Sequence, residues 1–118
     1  MVGTRFLRNA KFLKQIRHAR STKRRLKLIN DANPNQIFAI MDAANNILNG
    51  NFHISDAQRN KLVRHREHIR RLGRARTDSR ARRIIQMGGG AFLPALLAPV
   101  LVQLAPYLIK KLIKTVTE

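Results

Sequence analysis

Residues 33–50 read NPNQIFAIMDAANNILNG, and this stretch predicts the central helix of the fold. Asn33 followed by Pro34 is typical of an N-cap and first helical turn, and Gly50 is typical of a helix end. The stretch contains no Lys or Arg, and its apolar residues recur at helical spacing: Ile37, Phe38, Ile40, Met41, Ala44, Ile47 and Leu48. We therefore expect a helix whose wide apolar face forms the buried core of the domain.

Basic residues flank this central helix in the sequence. The 118 residues include 24 Lys and Arg against 6 Asp and Glu, which gives a formal net charge of +18. Most of the positive charge lies in two arms, residues 1–30 and residues 59–83. Such an imbalance indicates a polyanionic partner.

Few sequence features point to catalysis or metal binding. The chain has no Cys, which excludes disulfides and thiolate metal sites. His65 and His68 lie among Arg residues that would repel a divalent cation, and His53 beside Ser55 and Asp56 is more simply interpreted as the start of a helix. We therefore predict no catalytic residues, no metal site and no cofactor, and hence a protein that is not an enzyme.

The N-terminal arm predicts a basic amphipathic helix. Apolar residues from Phe6 to Ala19 recur at helical spacing, with Arg and Lys between them. Ser21 or Thr22 is a suitable cap for a second, short helix that runs through Ile29. The predicted phosphate contacts in this arm are Lys11, Lys14, Lys23, Arg24, Arg25 and Lys27.

The second arm predicts two further helices. Ser55 to Gln58 fits a capping box that starts a helix running to about Gly73. Thr77 or Ser79 is a suitable cap for a last helical piece that reaches Met87. Because no stretch alternates polar and apolar residues with a period of two, we predict an all-α fold with three to five helices around the central one.

Arginine dominates this second arm, with ten Arg and one Lys against Glu67 and Asp78. A guanidinium group holds two phosphate oxygens at once, whereas an ordinary solvated helix mixes both signs of charge. No zinc-finger spacing, homeodomain pattern or interleaved aromatic residues indicate sequence readout. We therefore predict non-specific binding of double-stranded DNA. The predicted contacts in this arm are Arg59, Lys61, Arg64, Arg66, Arg70, Arg71, Arg74, Arg76, Arg80, Arg82 and Arg83.

A change of composition at Gly88–Gly90 divides the chain into three parts. Residues 1–87 are predicted to form a basic helical nucleic-acid-binding domain, and residues 91–118 an apolar tail broken by prolines and ending in lysines. We interpret the glycines as a flexible linker suited to a protease cleft, or as a helix C-cap with a hinge. The apolar run Ala91–Ile109 is close to the roughly 20 residues that span a bilayer, so membrane contact through residues 91–113 is an open alternative.

The tail also resembles part of a known family. Phe92 to Pro99 reads FLPALLAP. It is similar to a Leu-Pro-x-Leu-Leu-x-Pro segment that follows an Arg-rich part and a Gly-Gly step in the adenovirus core protein pX, the precursor of mu, and in similar small proteins of adintoviruses and Polinton-type mobile elements. The stretch from Ile37 to Gly50 also resembles the Polinton-type versions. This resemblance implies a minor core protein that condenses DNA in the virion interior and that is present in the host nucleus during assembly. The adenovirus basic part is a short Arg-rich peptide, and this chain departs from it by its helical centre.

The same resemblance implies proteolytic processing. The viral cysteine protease of the family prefers Met, Ile or Leu, then any residue, then Gly-Gly, and cleaves after the second Gly. Met87-Gly88-Gly89-Gly90 followed by Ala91 satisfies this pattern, with cleavage expected between Gly90 and Ala91. The expected partners are then double-stranded DNA, the viral protease and the capsid interior.

Two other functions stay open. A membrane-associated protein would turn its basic helices towards anionic lipid and keep the tail as an anchor. An RNA-binding protein of the ribosomal type would need only the basic helices. The fate of the tail separates the membrane protein from the precursor, because an anchor must remain attached whereas a precursor loses its tail.

Overall fold

The computed structural model describes residues 4–87 and 90–117, and the side chains of residues 5–87 and 90–106. Within these ranges the chain forms eight helices and no strand, so the predicted all-α class is confirmed. The helices are α1 (Thr4–Arg8), α2 (Ala10–His18), α3 (Thr22–Asp31), α4 (Pro34–Leu48), α5 (Asp56–Val63), α6 (Arg66–Arg74), α7 (Asp78–Met87) and α8 (Leu93–Thr117).

The central helix α4 begins and ends where its sequence predicts. The Asn33 side chain accepts a hydrogen bond from the Gln36 N–H at 2.8 Å, and the Gln36 side chain accepts one from the Asn33 N–H at 2.9 Å. This reciprocal pair satisfies two N–H groups that the first helical turn leaves unpaired. Gly50 ends the helix with φ of +70°, a left-handed conformation that only Gly adopts without strain.

The buried face of α4 is rotated relative to the face that the sequence predicts. Its buried residues are Ile37, Ala39, Ile40, Met41, Ala43 and Ala44. Phe38 is half-buried and lies beneath the guanidinium of Arg5, 5.6 Å from the ring centroid, and Arg5 is held there by an ion pair of 2.7 Å with Asp42. Leu48, predicted to be buried, is 43% exposed. The helix therefore buries Ala39 and Ala43 on one side, whereas Phe38 on the other side is only half-buried and Leu48, its last residue, lies at the surface.

A turn at Arg64 and His65 divides the predicted helix from Asp56 to Gly73 into α5 and α6. The division has a packing reason, because α5 packs against α8 whereas α6 packs against α4 and α7. Leu62 on α5 and Ile69 on α6 are both buried.

The amphipathic helix predicted from Phe6 to Ala19 is also interrupted, at Asn9, which separates α1 from α2. The Asn9 side chain is buried and donates a hydrogen bond to the Arg5 carbonyl at 2.9 Å. The backbone hydrogen bonds around it keep the helical i to i−4 pattern, so α1 and α2 follow one another with little change of direction. The buried face of α2 consists of Ala10, Phe12, Leu13 and Ile16.

Helix α8 completes the core of the domain. Its buried side chains belong to the same cluster as those of α2 and α4: Phe92 in the turn before it, then Leu93, Leu96, Leu97, Val100 and Leu104. The sequence placed these residues in a tail outside the basic domain, whereas the structure packs them against α1, α2, α4 and α5. Their spacing of three and four residues is that of one helix face, and the buried face of α2 needs such a partner. Pro99 and Pro106 lie inside α8.

Gly90 lies in a turn between α7 and α8. The Gly90 N–H donates to the Ile85 carbonyl at 3.1 Å, and Gly90 is buried with φ of +70°. A Cβ added at Gly90 would lie 3.1 Å from Cδ of Arg25, which is closer than ordinary van der Waals contact. This geometry agrees with the helix C-cap that was one of the two interpretations of the glycines. Gly88 and Gly89, which belong to the predicted linker and cleavage site, lie outside the described residues.

Membrane contact through residues 91–113 is the alternative that concerns α8. Over the part of the chain that the structure describes, no helix combines the length and the apolar character needed to cross a bilayer. In residues 92–104 the buried apolar side chains are packed against other helices of the same chain.

Candidate nucleic-acid interface

The predicted phosphate contacts are mostly surface residues. Of the 17 predicted residues, all except Arg25 and Arg82 are exposed. They are carried by α2, α3, α5, α6, α7 and the adjoining turns, because each of these helices turns a narrow apolar stripe inwards and its Lys and Arg outwards. The basic surface is therefore spread over several helices rather than confined to one face of one helix.

Few of these exposed cations are neutralised within the molecule. Lys27 lies 3.3 Å from Asp31, and Arg71 lies 3.9 Å from Glu67. In the described ranges the other 13 exposed predicted residues have no carboxylate within 4.0 Å. Ion pairs between such exposed groups contribute at most about 1 kcal/mol, so they leave even Lys27 and Arg71 able to exchange a carboxylate for a phosphate.

Arg82 is a correction to the predicted contacts, because its guanidinium caps another helix. Nη1 donates to the Ile29 carbonyl and Nη2 to the Ala32 carbonyl, each at 2.6 Å, and the Asp78 carboxylate lies 3.5 Å from Nη2. The last carbonyls of a helix have no hydrogen-bond partner within it, and a cation placed there is stabilised by the negative end of the helix dipole. Arg82 therefore ties α7 to the end of α3 and is not free to bind phosphate.

Arg25 is the second correction. Its side chain is half-buried, Nη2 lies 3.4 Å from the Ala19 carbonyl, and its aliphatic part lies against Gly90. Nε is buried and has no hydrogen-bond partner among the described residues. Arg25 therefore packs the turn before α8 onto α3, and it is a weaker candidate for phosphate binding than its exposed neighbours.

Three cations converge on one recess of about 470 Å³ between α2, α5 and the start of α8. They are Arg17 from α2, Lys61 from α5, and Arg64 from the turn that follows α5. The remaining lining residues are Gln58, His65, Ala91, Pro94, Ala95 and Ala98, so no carboxylate lines the recess. Small side chains form its floor, which leaves room for a group the size of a phosphate between the cations.

Local structure holds the walls of this recess in place. The Ser55 side chain accepts from the Gln58 N–H at 3.2 Å, and the Gln58 side chain accepts from the Ser55 N–H at 3.0 Å, which confirms the predicted capping box of α5. The rings of His65 and His68 lie 6.4 and 5.6 Å from that of Phe92, which is fully buried. The recess is therefore built on the core rather than on a loose loop.

The electrostatics of the recess favour an anion. Like charges that share one recess repel each other, and an anion between them relieves this repulsion. Arg17 is half-buried, so its interaction with a bound anion is screened less than that of fully exposed Lys and Arg side chains. An Arg fork and a Lys ammonium group together supply the hydrogen-bond donors that a phosphate accepts.

Three polar residues that line this recess, Arg17, Gln58 and His65, are not among the predicted phosphate contacts. Arg17 was placed on the polar side of the first amphipathic helix but not among the phosphate contacts, and Gln58 and His65 were assigned no binding role. Lys61 and Arg64 were predicted, but as members of a long row on one helix. No local pattern could join Arg17 to residues more than 40 positions away, because α8 packs between the two arms and brings them together.

The other sequence features keep structural roles. Ser55, which lies near His53 and Asp56 in the sequence, acts as the N-cap of α5. In the described part of the chain no three His, Asp or Glu side chains are grouped in a way that could hold a metal ion. Comparisons with protein-family models, with curated proteins and with solved structures each found no match for this chain. The resemblance to adenovirus and Polinton-type core proteins therefore rests on the residues quoted for it, and function is argued from the surface and the recess.

Proposed function

We propose that this protein binds double-stranded DNA through its phosphates, without sequence preference, and condenses it as a minor core protein of a virus or virus-like mobile element. The observation that supports this proposal best is the set of 13 exposed Lys and Arg side chains with no carboxylate within 4.0 Å in the described ranges. Each phosphate that such a cation neutralises releases counterions condensed on the duplex, and this release supplies non-specific affinity.

The spread of charge over several helices supports condensation as well as binding. A molecule with principal extents of 45 by 32 by 28 Å carries cations on α2, α3, α5, α6 and α7. Phosphates contacted from more than one side allow one protein to hold two duplex segments near each other. Lys and Arg contacts of this kind position a protein on DNA and do not read its sequence.

Within this surface we assign the recess of Arg17, Lys61 and Arg64 as the strongest phosphate contact. Its cations face a common volume, and part of it is shielded from water. The exposed arginines of α6 and α7 would then add weaker contacts around this anchor. The expected binding mode is one preferred phosphate position with many exchangeable ones around it.

The test is a titration of unrelated DNA duplexes, and of one RNA duplex, across a series of salt concentrations. For six to ten phosphate contacts we expect affinity to fall about 10³- to 10⁵-fold between about 50 and 200 mM salt, with little difference between DNA sequences. A shallow salt dependence, or a strong preference for one DNA sequence, would exclude the packaging function. Tighter binding to the RNA duplex than to every DNA duplex would favour the RNA-binding alternative.

The recess has its own test with a matched control. Replacing Arg17 and Arg64 by Ala removes two charges from the recess, and replacing Arg80 and Arg83 by Ala removes two charges from α7. We expect the recess variant to bind DNA about 10-fold more weakly than the control variant, because the charge lost is the same and only the geometry differs. Equal losses would show that net charge alone sets the affinity.

Processing between Gly90 and Ala91 is part of the proposal. The exposed side chains of Met87 and Ala91 on either side of the junction support it, because a protease must reach both. Gly90 itself is buried and hydrogen-bonded to Ile85, so cleavage requires this turn to open first. The fold changes the expected consequence of the cut, because Phe92 to Leu104 contribute six buried apolar side chains to the core. At about 1.5–3 kcal/mol for each buried side chain, their loss is comparable to the whole stability of a small domain. We therefore propose that removal of the tail loosens the basic domain around DNA, rather than merely detaching an accessory segment.

A further inference from the structure

A second recess, of about 440 Å³, lies between the end of α4, the connection to α5, and the helices α5 and α6. Its walls are mainly apolar and include Leu48, Phe52, Ile54 and Val63. Its volume falls within the roughly 300–1,000 Å³ typical of binding pockets. We call it the apolar groove.

Two side chains of the apolar groove are much more exposed than large apolar residues usually are. Leu48 is 43% exposed and Val63 is 56% exposed, and they are two of only four such residues among the described side chains. The other two, Met87 and Val102, do not line the groove. Adjacent exposed apolar residues in a concave site mark a binding surface more often than single ones do.

The walls of the groove are held by the core. Phe52 packs against the buried Phe6 with ring centroids 6.0 Å apart. Gly73 lets α6 approach the end of α4 so closely that a Cβ there would lie 2.9 Å from Cδ1 of Leu48. The groove is therefore a feature of the packed fold, and a ligand would not have to create it.

The rim of the groove is cationic. Arg59 and Arg66 both line it and are exposed, and no Asp or Glu is among the lining residues. Neither arginine has a carboxylate within 4.0 Å in the described ranges. A complementary occupant combines large apolar groups for the floor with negative charges for the rim.

Three other occupants fit these features less well. A duplex offers phosphates to the arginines but no apolar side chains to cover Leu48 and Val63. A second copy of this chain would bring another net charge of +18 against the same rim. A lipid surface takes up apolar residues that protrude, whereas this site is concave.

We propose that the apolar groove binds an acidic amphipathic helix of a partner protein. Apolar side chains spaced three and four residues apart fill the groove, and Asp or Glu side chains beside them pair with Arg59 and Arg66. Because both arginines are also proposed phosphate contacts, such a partner competes with DNA at this edge of the molecule. The competition depends on the proposed DNA-binding function. Binding of the partner helix to the groove does not depend on it.

The test measures binding of labelled peptides by fluorescence anisotropy in the absence of nucleic acid. The probe is a helical peptide with Leu or Phe at every third and fourth position and Glu elsewhere, and the control peptide keeps each Glu and replaces each apolar residue by Ser. We expect the probe to bind at least about 10-fold more tightly than the control peptide. Equal binding of the two peptides would overturn the proposal, because charge alone would then explain it.

Matched variants locate the site. Val63→Asp and Leu48→Ser are expected to weaken probe binding about 10-fold or more, whereas Val102→Asp, at a 63% exposed residue outside the groove, leaves it unchanged. Circular dichroism checks that each variant is folded. Since both Val63→Asp and Leu48→Ser change the groove, either one can locate the site if the other does not fold. Equal losses from Val63→Asp and Val102→Asp would overturn the assignment.

A further experiment with lipid vesicles tests whether the groove binds anionic lipid instead of a protein helix. Vesicles that contain anionic lipid will attract the basic surface. We expect the Val63→Asp and Val102→Asp variants to bind these vesicles equally well. If vesicle binding depends on Val63 and probe binding does not, the groove contacts lipid and the protein partner is excluded.

Discussion

Arg82 is predicted from the sequence to contact phosphate, but in the folded chain it caps the end of a helix. In the sequence it is one of many arginines in a basic arm, whereas in the structure its guanidinium joins α7 to the last carbonyls of α3. Its neighbour Arg83 is exposed and remains a proposed phosphate contact. Two adjacent residues of the same type therefore have different surroundings because their helix turns them in different directions.

This difference gives a prediction about stability. We expect Arg82→Ala to lower the free energy of unfolding by about 2–3 kcal/mol, because two carbonyls and a carboxylate lose a charged donor in a partly buried site. Arg83→Ala is the control and should change it by less than about 0.5 kcal/mol. Urea unfolding followed by circular dichroism measures both. If Arg82→Ala instead weakens DNA binding with no loss of stability, the residue is a phosphate contact.

The two left-handed glycines allow a second prediction at this scale. Gly50 and Gly90 both have φ of +70°, but a Cβ at Gly50 would meet nothing within 4 Å, whereas one at Gly90 would meet Arg25. Ala at either position should cost about 1 kcal/mol for the strained backbone. Gly90→Ala should lower the free energy of unfolding by more than Gly50→Ala does, because the half-buried Arg25 must also move. Equal melting temperatures of the two variants would mean that Arg25 yields without cost.

At the scale of single helices, α4 is the main support of the core. Ile40 is fully buried at its centre, and Asn35 in its first turn is exposed. We expect Ile40→Asp to unfold the domain, because burying an unpaired carboxylate costs several kcal/mol, which is on the order of the total stability. Asn35→Asp adds the same charge near the positive end of the helix dipole and should leave the fold intact. Retention of helix content and melting temperature by Ile40→Asp would contradict the assignment of α4.

Helix α8 can be tested in the same way. Leu97 is fully buried in the common core, and Val102 on the same helix is 63% exposed. Leu97→Ala should destabilise the protein by about 2–5 kcal/mol through the cavity it leaves, and Val102→Ala by less than about 0.5 kcal/mol. If α8 were a separate tail, neither substitution would change the unfolding transition of the basic region. Thermal melts of the two variants decide between these cases.

For the whole molecule, the apolar helix and the basic surface depend on each other. The second basic arm carries few apolar residues, and α8 covers the inner face of α2 and touches α5, which bears Lys61 of the recess. Charge spread over α2, α3, α5, α6 and α7 would by itself drive these helices apart, and burial of apolar surface against α4 and α8 opposes that repulsion. The apolar faces of α4 and α8 thus hold the fold together, and the basic helices carry the surface that we propose binds DNA.

This dependence predicts the behaviour of the chain shortened to end at Gly90. Without Phe92 to Leu104 we expect it to lose the cooperative thermal transition, because the buried faces of α1, α2 and α4 lose their partner. It should still bind duplex DNA at low salt, because the exposed cations of residues 5–87 remain. A cooperative melt like that of the full chain would show that the first 90 residues fold alone.

Features that depend on residues close together in the chain could be predicted without the structure. The bounds of α4, the capping boxes at Asn33 and Ser55, the cap at Thr77 and the all-α class follow from hydrogen bonds and side-chain spacing within about one helical turn. The excess of positive charge is likewise a property of composition. The place of α8, the division between α5 and α6, the capping role of Arg82 and the meeting of Arg17 with Lys61 and Arg64 depend on contacts between residues of different helices. Helical periodicity says which face of a helix is apolar but not which other face will cover it, so only the packed fold could decide these features.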